Sequence, residues 1–231
     1  MAAALAVGLV LAGWAVLRPG AAPPGLPADI AVTPLPPSGD PLRLAVFGTS
    51  LTAGSTWPEA LAGALSDCLG RPVTLLRFAR PGATTGWAMD QVAGVIAAAP
   101  DIVLIEFAIN DADLHDGYSA SRSLDNHRAI LAAMAAGRPA MRRVLMTMSP
   151  AQGLRGLVRP GLARHYAGYR TLAAEGGTGL VDLYPRWLAL PPDGRGLDDG
   201  LHPRDAVALS VILPALLPYL AQAAGGACAT G

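Results

Sequence analysis

A serine hydroxyl, a histidine and a nearby carboxylate could together carry out nucleophilic chemistry in this chain. Ser50 follows Gly48-Thr49 at the end of an apolar run, Leu42–Phe47, which is typical of a strand that turns towards a helix. At such a turn the hydroxyl lies at the carboxyl edge of a sheet, where the first N–H groups of the helix can stabilise an oxyanion. Because a serine hydroxyl at its ordinary pKa is a poor nucleophile, this interpretation needs a general base elsewhere in the chain.

His202 is the predicted base, and it follows Asp199 by one turn of chain. This spacing lets the Asp199 carboxylate hold one ring nitrogen of His202 while the other nitrogen faces Ser50. Asp198 is an alternative partner, but the spacing favours Asp199. We therefore predict that the hydroxyl, the imidazole and the carboxylate lie within hydrogen-bonding reach of one another.

Four short blocks resemble the SGNH, or GDSL-type, hydrolases. This family has a serine after Gly-x, then a glycine, an asparagine and a closing Asp-x-x-His. The corresponding blocks here are Gly48-Thr49-Ser50-Leu51, Pro81-Gly82-Ala83-Thr84, Ile105–Asp111 and Asp199–Pro203. Each block alone is weak evidence, since Gly-x-Ser is commonly an ordinary turn. Four in the family's order favour the resemblance, which extends over residues 42–224.

The resemblance implies an acyl-enzyme mechanism on an ester or thioester. Ser50 would attack, His202 would transfer the proton, and Asp199 would orient His202. The family places the oxyanion between the backbone N–H of Ser50, the backbone N–H of Gly82 and the side-chain amide of Asn110. These are sensible donors, because glycine lets the backbone approach a ligand and an asparagine amide is neutral. No cofactor and no metal is implied.

Two features depart from the family pattern. Ala108 replaces the glycine that usually precedes the asparagine by two residues, and alanine accepts a left-handed backbone less readily, so a shifted loop is expected. The glycine after Gly82 comes late, at Gly86, which therefore stays an alternative donor. Trp87 and Ile109 are bulky and near the blocks, so we expect them to border the acyl site and to favour short acyl groups.

Other polar residues have simpler interpretations. Glu106 is expected to be a structural hydrogen-bonding acid at the end of its strand. The segment Asp111–Asp116 lacks the pattern of a calcium or zinc site and is read as a polar loop. Solvated helix or loop positions are expected for the remaining histidines, His115, His127 and His165.

Composition bounds the class of protein. A length of 231 residues suits one α/β domain, and 17 basic and 17 acidic residues give a formal net charge of zero. No basic run exceeds Arg142-Arg143, so no nucleic-acid partner is expected. The sequence contains no lysine, which excludes a Walker A loop, a Schiff base to pyridoxal phosphate and a Ser–Lys dyad.

Apolar runs alternate with helical patterns, which predicts an α/β fold with a parallel sheet covered on both faces. The resemblance implies a flavodoxin-like three-layer α/β/α sandwich with five strands in the order 2-1-3-4-5. Predicted strands are Leu42–Phe47, Val73–Ala79, Ile102–Phe107, Val144–Met148 and Gly179–Leu183. Predicted helices are Trp57–Leu69, Gly86–Ala98, Ser121–Ala136, Pro160–Ala174 and Pro203–Ala223.

The first 41 residues are predicted to lie outside the hydrolase domain, which is assigned to residues 42–231. Residues 1–18 form an apolar run that is read as a signal sequence or a membrane anchor. Residues 19–41 are rich in proline and glycine and are read as an extended tether. The apolar run and the resemblance favour an exported protein, periplasmic or membrane-anchored, with possible membrane association through this segment.

Two cysteines allow one disulfide. Cys68 ends the first predicted helix and Cys228 follows the last, and in a flavodoxin-like sheet these helices cover the same face. A Cys68–Cys228 bond is therefore expected in an exported chain. The alternative is a buried free Cys68 beside a frayed tail.

Function is expected to be hydrolysis of short-chain carboxylic esters, small-molecule or carbohydrate-bound, including O-acetyl groups. An acyltransferase could use the same three residues, and a lysophospholipase or thioesterase would differ only in substrate. A non-catalytic binding module is disfavoured because every residue of the four blocks that carries chemistry is present.

Overall fold

A five-stranded parallel sheet forms the centre of the protein. The computed structural model describes residues 25–115 and 118–228. The strands are β1 Leu42–Gly48, β2 Val73–Ala79, β3 Ile102–Glu106, β4 Arg142–Thr147 and β5 Gly179–Asp182. They lie in the order β2-β1-β3-β4-β5, so the predicted fold class and strand order are confirmed.

Helices cover both faces of the sheet. They are α1 Ser50–Ala53, α2 Trp57–Leu69, α3 Thr85–Ala97, α4 Ala108–Asp111, α5 Ala120–Gly137, α6 Gly153–Leu157, α7 Leu162–Ala174, α8 Leu183–Leu188 and α9 Asp205–Ala223, with a 3-10 turn at Pro192–Arg195. Helices α2 and α9 pack against each other, and α3, α5 and α7 pack in a row. The five longest helices are the five that were predicted. The short ones follow strand ends or connect elements, and they are too short to show a helical period.

The buried strands determine where the site lies. Every residue of β3 is buried, as expected for a central parallel strand with helices on both faces. In the aligned register, Gly48 at the end of β1 is paired with Ala79 of β2 and with Glu106 of β3. The loops after these three strands therefore begin side by side at the carboxyl edge of the sheet, where α/β proteins bind their ligands.

The proline-rich segment before β1 differs from the expected tether. Ile30 forms an antiparallel bridge with Leu180 of β5, with both N–O distances 2.9 Å. Further along, the Leu35 N–H donates to the Ala223 carbonyl at 2.8 Å. The described part of residues 19–41 has no helix and no strand longer than this bridge. Its backbone bonds nevertheless dock it on the domain, which therefore begins before Leu42.

The predicted signal sequence or anchor, residues 1–18, lies outside the described residues. Among those described, one helix, α9, is long and apolar enough to cross a membrane, with a mean hydropathy of 1.8. Four of its buried positions recur every four residues and contribute to the core, and they are Ala208, Ile212, Leu216 and Leu220. Because α9 also packs against α2, it is a core helix, and membrane association has no support in the described residues.

A disulfide joins Cys68, at the end of α2, to Cys228, beyond the end of α9. The two α-carbons are 4.9 Å apart, well within the range that a disulfide bridges without backbone movement. The predicted pairing is confirmed. It follows from the topology, because α2 and α9 pack together and bring their carboxyl ends to the same place.

Candidate active site

Ser50, His202 and Asp199 form a continuous hydrogen-bonded chain. The distance between Ser50 Oγ and His202 Nε2 is 2.8 Å, and that between His202 Nδ1 and Asp199 Oδ2 is 2.7 Å. Ser50 lies at the start of α1, and the other two residues lie in the loop before α9. The predicted contacts are therefore confirmed. The alternative acid, Asp198, is exposed and faces Arg204 at 3.7 Å.

The Asp199 loop fixes the acid in its ionised form. Asp199 Oδ1 accepts the backbone N–H groups of Leu201 at 2.9 Å and His202 at 2.8 Å. Partial burial acts to raise the pKa of Asp199, but the bonds from the His202 side chain and from these two N–H groups outweigh it and lower the pKa below its ordinary value. The carboxylate is thus available as an acceptor for the imidazole N–H at any pH at which the enzyme would work.

Ser50 is held on a tight turn between β1 and α1. The side chain of Thr49 caps α1 by accepting the Leu51 N–H at 3.2 Å. The Trp57 indole N–H donates to the Leu51 carbonyl at 2.9 Å, which ties the turn to α2. As the first residue of α1, Ser50 has an N–H with no acceptor inside its own helix. This N–H is free to serve as an oxyanion donor.

Gly82 fits the predicted donor position better than Gly86. Gly82 has a left-handed φ of 71°, and a side chain added there would meet open space. Its N–H makes no backbone bond within the described chain. Gly86 instead lies inside α3 and packs against the Tyr118 hydroxyl. The glycine at 82 is therefore required by the backbone, and the space above it is open to a ligand.

Asn110 reaches the Gly82 loop from the neighbouring strand end. It lies in α4 and is buried, and its side-chain amide donates one hydrogen to the Ala83 carbonyl at 3.0 Å. An asparagine amide has two hydrogens, so the second can serve an oxyanion. Ala108 begins α4 in ordinary right-handed backbone. The expected difficulty with alanine at this position therefore does not arise.

Asp111 connects the same two loops beneath the surface. It is fully buried and accepts the Thr85 N–H and hydroxyl, both at 2.8 Å, and the Ser123 hydroxyl at 2.6 Å. The next acid, Asp113, is paired with Arg159 at 2.6 Å. These carboxylates bind protein donors, so the loop after β3 is a structural junction between α3, α4 and α5.

Two of the remaining histidines differ from the prediction. His127 is buried in α5, where Nδ1 lies 2.7 Å from the Ser123 carbonyl and Nε2 lies 2.9 Å from the Tyr169 hydroxyl. Burial lowers the pKa of His127 and keeps it neutral. His165 is buried in α7, and His115 alone is solvated as expected. The buried face of α5, which includes Ile130 and Met134 three and seven residues after His127, was the signal that could have identified it.

The two residues expected to border the acyl site behave differently. Ile109 is only 1% exposed, and its carbonyl accepts the Arg159 Nε–H at 2.9 Å. The interpretation of Ile109 as an acyl-site wall is therefore wrong, because α4 turns it into the core. Trp87 is half-buried, and its ring lies 5.9 Å from that of Phe47 and 6.2 Å from that of Phe107. The Arg80 guanidinium lies over the Trp87 ring, 5.1 Å from its centroid, so Trp87 lies beside the loop that carries Gly82.

An exposed leucine rim was not predicted. It consists of Leu114, Leu154 and Leu157, which are 66%, 82% and 72% exposed. The rim is joined to the His202 loop, because the N–H of Gln152, just before α6, donates to the Gly200 carbonyl at 2.7 Å. Leu114 belongs to it through its N–H, which donates to the Val158 carbonyl at 2.9 Å, directly after α6.

The pKa of Glu106 is shifted in the opposite direction to that of Asp199. Burial raises its pKa from the ordinary value of 4.5 to about 7, and hydrogen bonds from Thr49 and Thr52 oppose this only in part. A carboxyl with a higher pKa in the folded than in the unfolded chain keeps its proton longer when folded. Stability contributed by this group is therefore lost as pH rises from 4.5 through 7.

We expect this titration to be visible in unfolding. Between pH 4.5 and pH 8 the free energy of unfolding of the wild type should fall relative to that of Glu106→Gln by up to about 3 kcal/mol. Urea unfolding of both proteins across this range measures the difference. Parallel pH dependences of the two proteins would contradict the raised pKa.

Comparison with known proteins supplies the family. The sequence model of the GDSL-like lipase/acylhydrolase family matches residues 46–208, a span that holds all four blocks. The chain therefore belongs to the GDSL-like lipase/acylhydrolase family. The predicted SGNH resemblance is confirmed, and the protein is an enzyme that hydrolyses ester bonds. No curated protein sequence matches the chain.

Solved structures of several hydrolases share the fold. A lipase/acylhydrolase from Enterococcus faecalis is 21% identical, with a TM-score of 0.65 over 77% of this chain and 95% of that one. The acetylxylan esterase Axe2 from Geobacillus stearothermophilus is 19% identical, with a TM-score of 0.66 over 79% and 95%. A carbohydrate esterase family 3 protein from Talaromyces cellulolyticus is 17% identical, with a TM-score of 0.68 over 80% and 98%.

Proposed function

We propose that this GDSL-family enzyme is a serine esterase that works through an acyl-enzyme on Ser50. The observation that carries the proposal is the chain from Ser50 Oγ through both nitrogens of His202 to Asp199, at 2.8 and 2.7 Å. In this geometry His202 can take the hydroxyl proton as the new oxygen–carbon bond forms. Asp199 holds the other ring nitrogen protonated and stabilises the imidazolium.

The tetrahedral oxyanion would be held by the backbone N–H of Ser50, the backbone N–H of Gly82 and the second amide hydrogen of Asn110. Collapse returns the proton from His202 to the departing alcohol and leaves an ester on Ser50. A water molecule, deprotonated by His202, then attacks that ester, and collapse releases the acid as His202 returns the proton to Ser50 Oγ. No step in this sequence requires a redox change or a further charged group.

The proposed substrates are short-chain carboxylic esters, including O-acetyl groups on carbohydrate. Trp87 supports a carbohydrate leaving group, because the half-buried indole and the Arg80 guanidinium over its ring lie beside the Gly82 loop and offer apolar surface together with hydrogen-bond donors. The similar solved structures include an acetylxylan esterase and a carbohydrate esterase. An acyltransferase would use the same three residues, and product analysis with an added sugar acceptor separates it from a hydrolase.

The leucine rim favours a second candidate, an esterase of longer acyl chains such as a lysophospholipase or thioesterase. Its three exposed side chains lie next to the loop that carries His202, where the apolar part of a bound ester could rest. Each methylene that leaves water contributes about 0.8 kcal/mol. A rim that binds acyl chains would therefore raise kcat/KM steeply with chain length.

A panel of nitrophenyl esters from acetyl to decanoyl, run beside acetylated xylan oligosaccharides, tests both candidates. We expect acetyl or butyryl esters to be turned over fastest and the double variant Leu154→Ser/Leu157→Ser to leave that preference unchanged. Ala132→Ser, on α5, is the matched control for an added hydroxyl. Faster turnover of decanoyl esters that the double variant abolishes would reject the short-chain proposal in favour of the second candidate.

We also propose that the protein is exported, to the periplasm or to a membrane-anchored position. The proposal is supported by the Cys68–Cys228 bond, since disulfides persist in oxidising compartments, and by the apolar character of residues 1–18. Fractionation of cells that express the full chain, followed by immunodetection, tests it.

A further inference from the structure

Glu106 lies directly beneath the turn that carries Ser50. It ends β3, opposite Gly48 at the end of β1, and it is 2% exposed. An added side chain at position 48 would collide with the Glu106 carboxylate. The glycine before the nucleophile therefore makes room for this carboxyl group as well as for the turn itself.

The carboxyl group binds both sides of the nucleophile. Oε1 accepts the Thr49 N–H at 2.5 Å and the Thr52 hydroxyl at 2.8 Å, and the Thr49 hydroxyl lies 3.0 Å from each carboxyl oxygen. Thr49 precedes Ser50 and Thr52 follows it by two residues. Every hydrogen bond that the Glu106 side chain makes within the described chain thus ends on residues that flank Ser50.

Apart from Glu106, the turn is held by the Trp57 indole N–H, which donates to the Leu51 carbonyl, and by its own short backbone bonds. Helix α1 has four residues, and an isolated helix of one turn is not stable in water. Its cap is the Thr49 hydroxyl, which accepts the Leu51 N–H and is itself oriented by its bond to Glu106. Loss of the carboxyl group would release the cap, the Thr49 N–H and the Thr52 hydroxyl together.

Burial of an acid next to a turn costs free energy, because burial disfavours the charged form of its carboxyl group. The titratable side chains that face it are Tyr166 and Tyr169 of α7, and burial raises the pKa of both phenols so that they stay neutral. No cation offsets the charge within the described residues. The ionised carboxyl is an acceptor only, which matches the three donors of the turn.

We propose that Glu106 is a positioning residue for the reaction, and that its hydrogen bonds to Thr49 and Thr52 hold Ser50 Oγ against His202 and aim the Ser50 N–H at the oxyanion. The inference rests on the proposed esterase function. It makes Glu106 neither a base nor a substrate ligand. Its effect should therefore appear in kcat and leave KM nearly unchanged.

The test compares Glu106→Gln with wild-type enzyme and with Glu175→Gln, a matched change in an exposed acid that pairs with Arg128. We expect kcat for nitrophenyl acetate to fall about 10- to 100-fold in Glu106→Gln, since small misplacements of reacting groups cost rates of this order. KM should stay within about twofold, and Glu175→Gln should match wild type. Urea unfolding at pH 8 separates a loss of positioning from a loss of stability. The neutral amide of Glu106→Gln should leave the protein at least as stable as wild type at this pH.

A second pair of variants applies if Glu106→Gln does not fold. Thr52→Val removes one donor to Glu106 in the same shape, and Thr52→Ser restores it. We expect kcat to fall about 3- to 10-fold in the valine variant and to recover in the serine variant. Wild-type kcat in Glu106→Gln or Thr52→Val, or a rise in KM with no fall in kcat, would overturn the positioning role. Turnover by the wild type would still uphold the esterase. Absence of turnover by wild type would refute the esterase and the positioning role together.

Discussion

Replacement of Ser50 by alanine is expected to abolish ester turnover by the purified protein. The nucleophilic oxygen disappears, while the oxyanion donors and His202 remain. Residual hydrolysis should lie about six orders of magnitude below wild type in kcat, the loss measured when a serine protease of this mechanism loses its nucleophile. The measurement is release of nitrophenol from an acetyl ester, with protein that has been purified away from host esterases.

Stability should not change with this substitution. Ser50 Oγ makes its one hydrogen bond within the described chain to His202, at a partly solvated position, so its removal leaves no buried group unpaired. Ser210→Ala, on the exposed face of α9, is the matched control and should retain full activity. Hydrolysis by Ser50→Ala at the wild-type rate would exclude Ser50 as the nucleophile. The variant should unfold at the same denaturant concentration as the wild type, which shows that any loss of activity does not come from loss of the fold.

The strands and long helices could be predicted because their patterns extend over several turns or alternations. Bounds for β2 and α2 agree with the prediction at both ends. Strand β3 could be predicted from its apolar run Ile102–Ile105, which is typical of parallel strands that are buried on both faces. The short helices α1, α4, α6 and α8 could not be found in this way, since four to six residues give no measurable period.

Ser50, Asp199 and His202 could be predicted because chemistry restricts them to few residue types at particular strand ends. The contacts beneath them could not. Glu106 was read as a structural acid, but its partners, Thr49 and Thr52, depend on the register of β1 against β3, and register is a property of the assembled sheet. The sequence gives the identity of each side chain but not which distant side chains come into contact.

Ile109 and the segment around Ile30 show a second limit. Ile109 was placed near the acyl site by its distance from Asn110 along the chain, but α4 is helical, so neighbouring side chains point in different directions. The segment was read as a tether because it lacks a period. Its docking combines the backbone bridge of Ile30 with the Asp29 carboxylate, which accepts the Asp182 N–H and pairs with Arg186. Contacts between residues so far apart in the chain leave no local pattern in the sequence.

Loss of the Cys68–Cys228 bond is expected to have the largest effect on stability. The bond closes a sequence separation of 160 residues, and the chain-entropy model gives about 5 kcal/mol for a loop of this length, with measured losses of about 2–5 kcal/mol in other proteins. Cys68→Ser/Cys228→Ser should therefore unfold at a markedly lower urea concentration than the oxidised wild type. The slope of the transition should be somewhat steeper for the double variant, because its unfolded chain is no longer cross-linked and exposes more surface.

The reduced wild type provides the control for the two substitutions themselves. With reductant present, wild type and double variant should unfold together, because both then lack the bond. Each single variant should lose as much stability as the double variant, since either change breaks the same link. Mass measurement of protein prepared without reductant should show a gain of two hydrogens on reduction. Two free thiols in protein prepared without reductant would contradict the bond and remove one of the two supports for export.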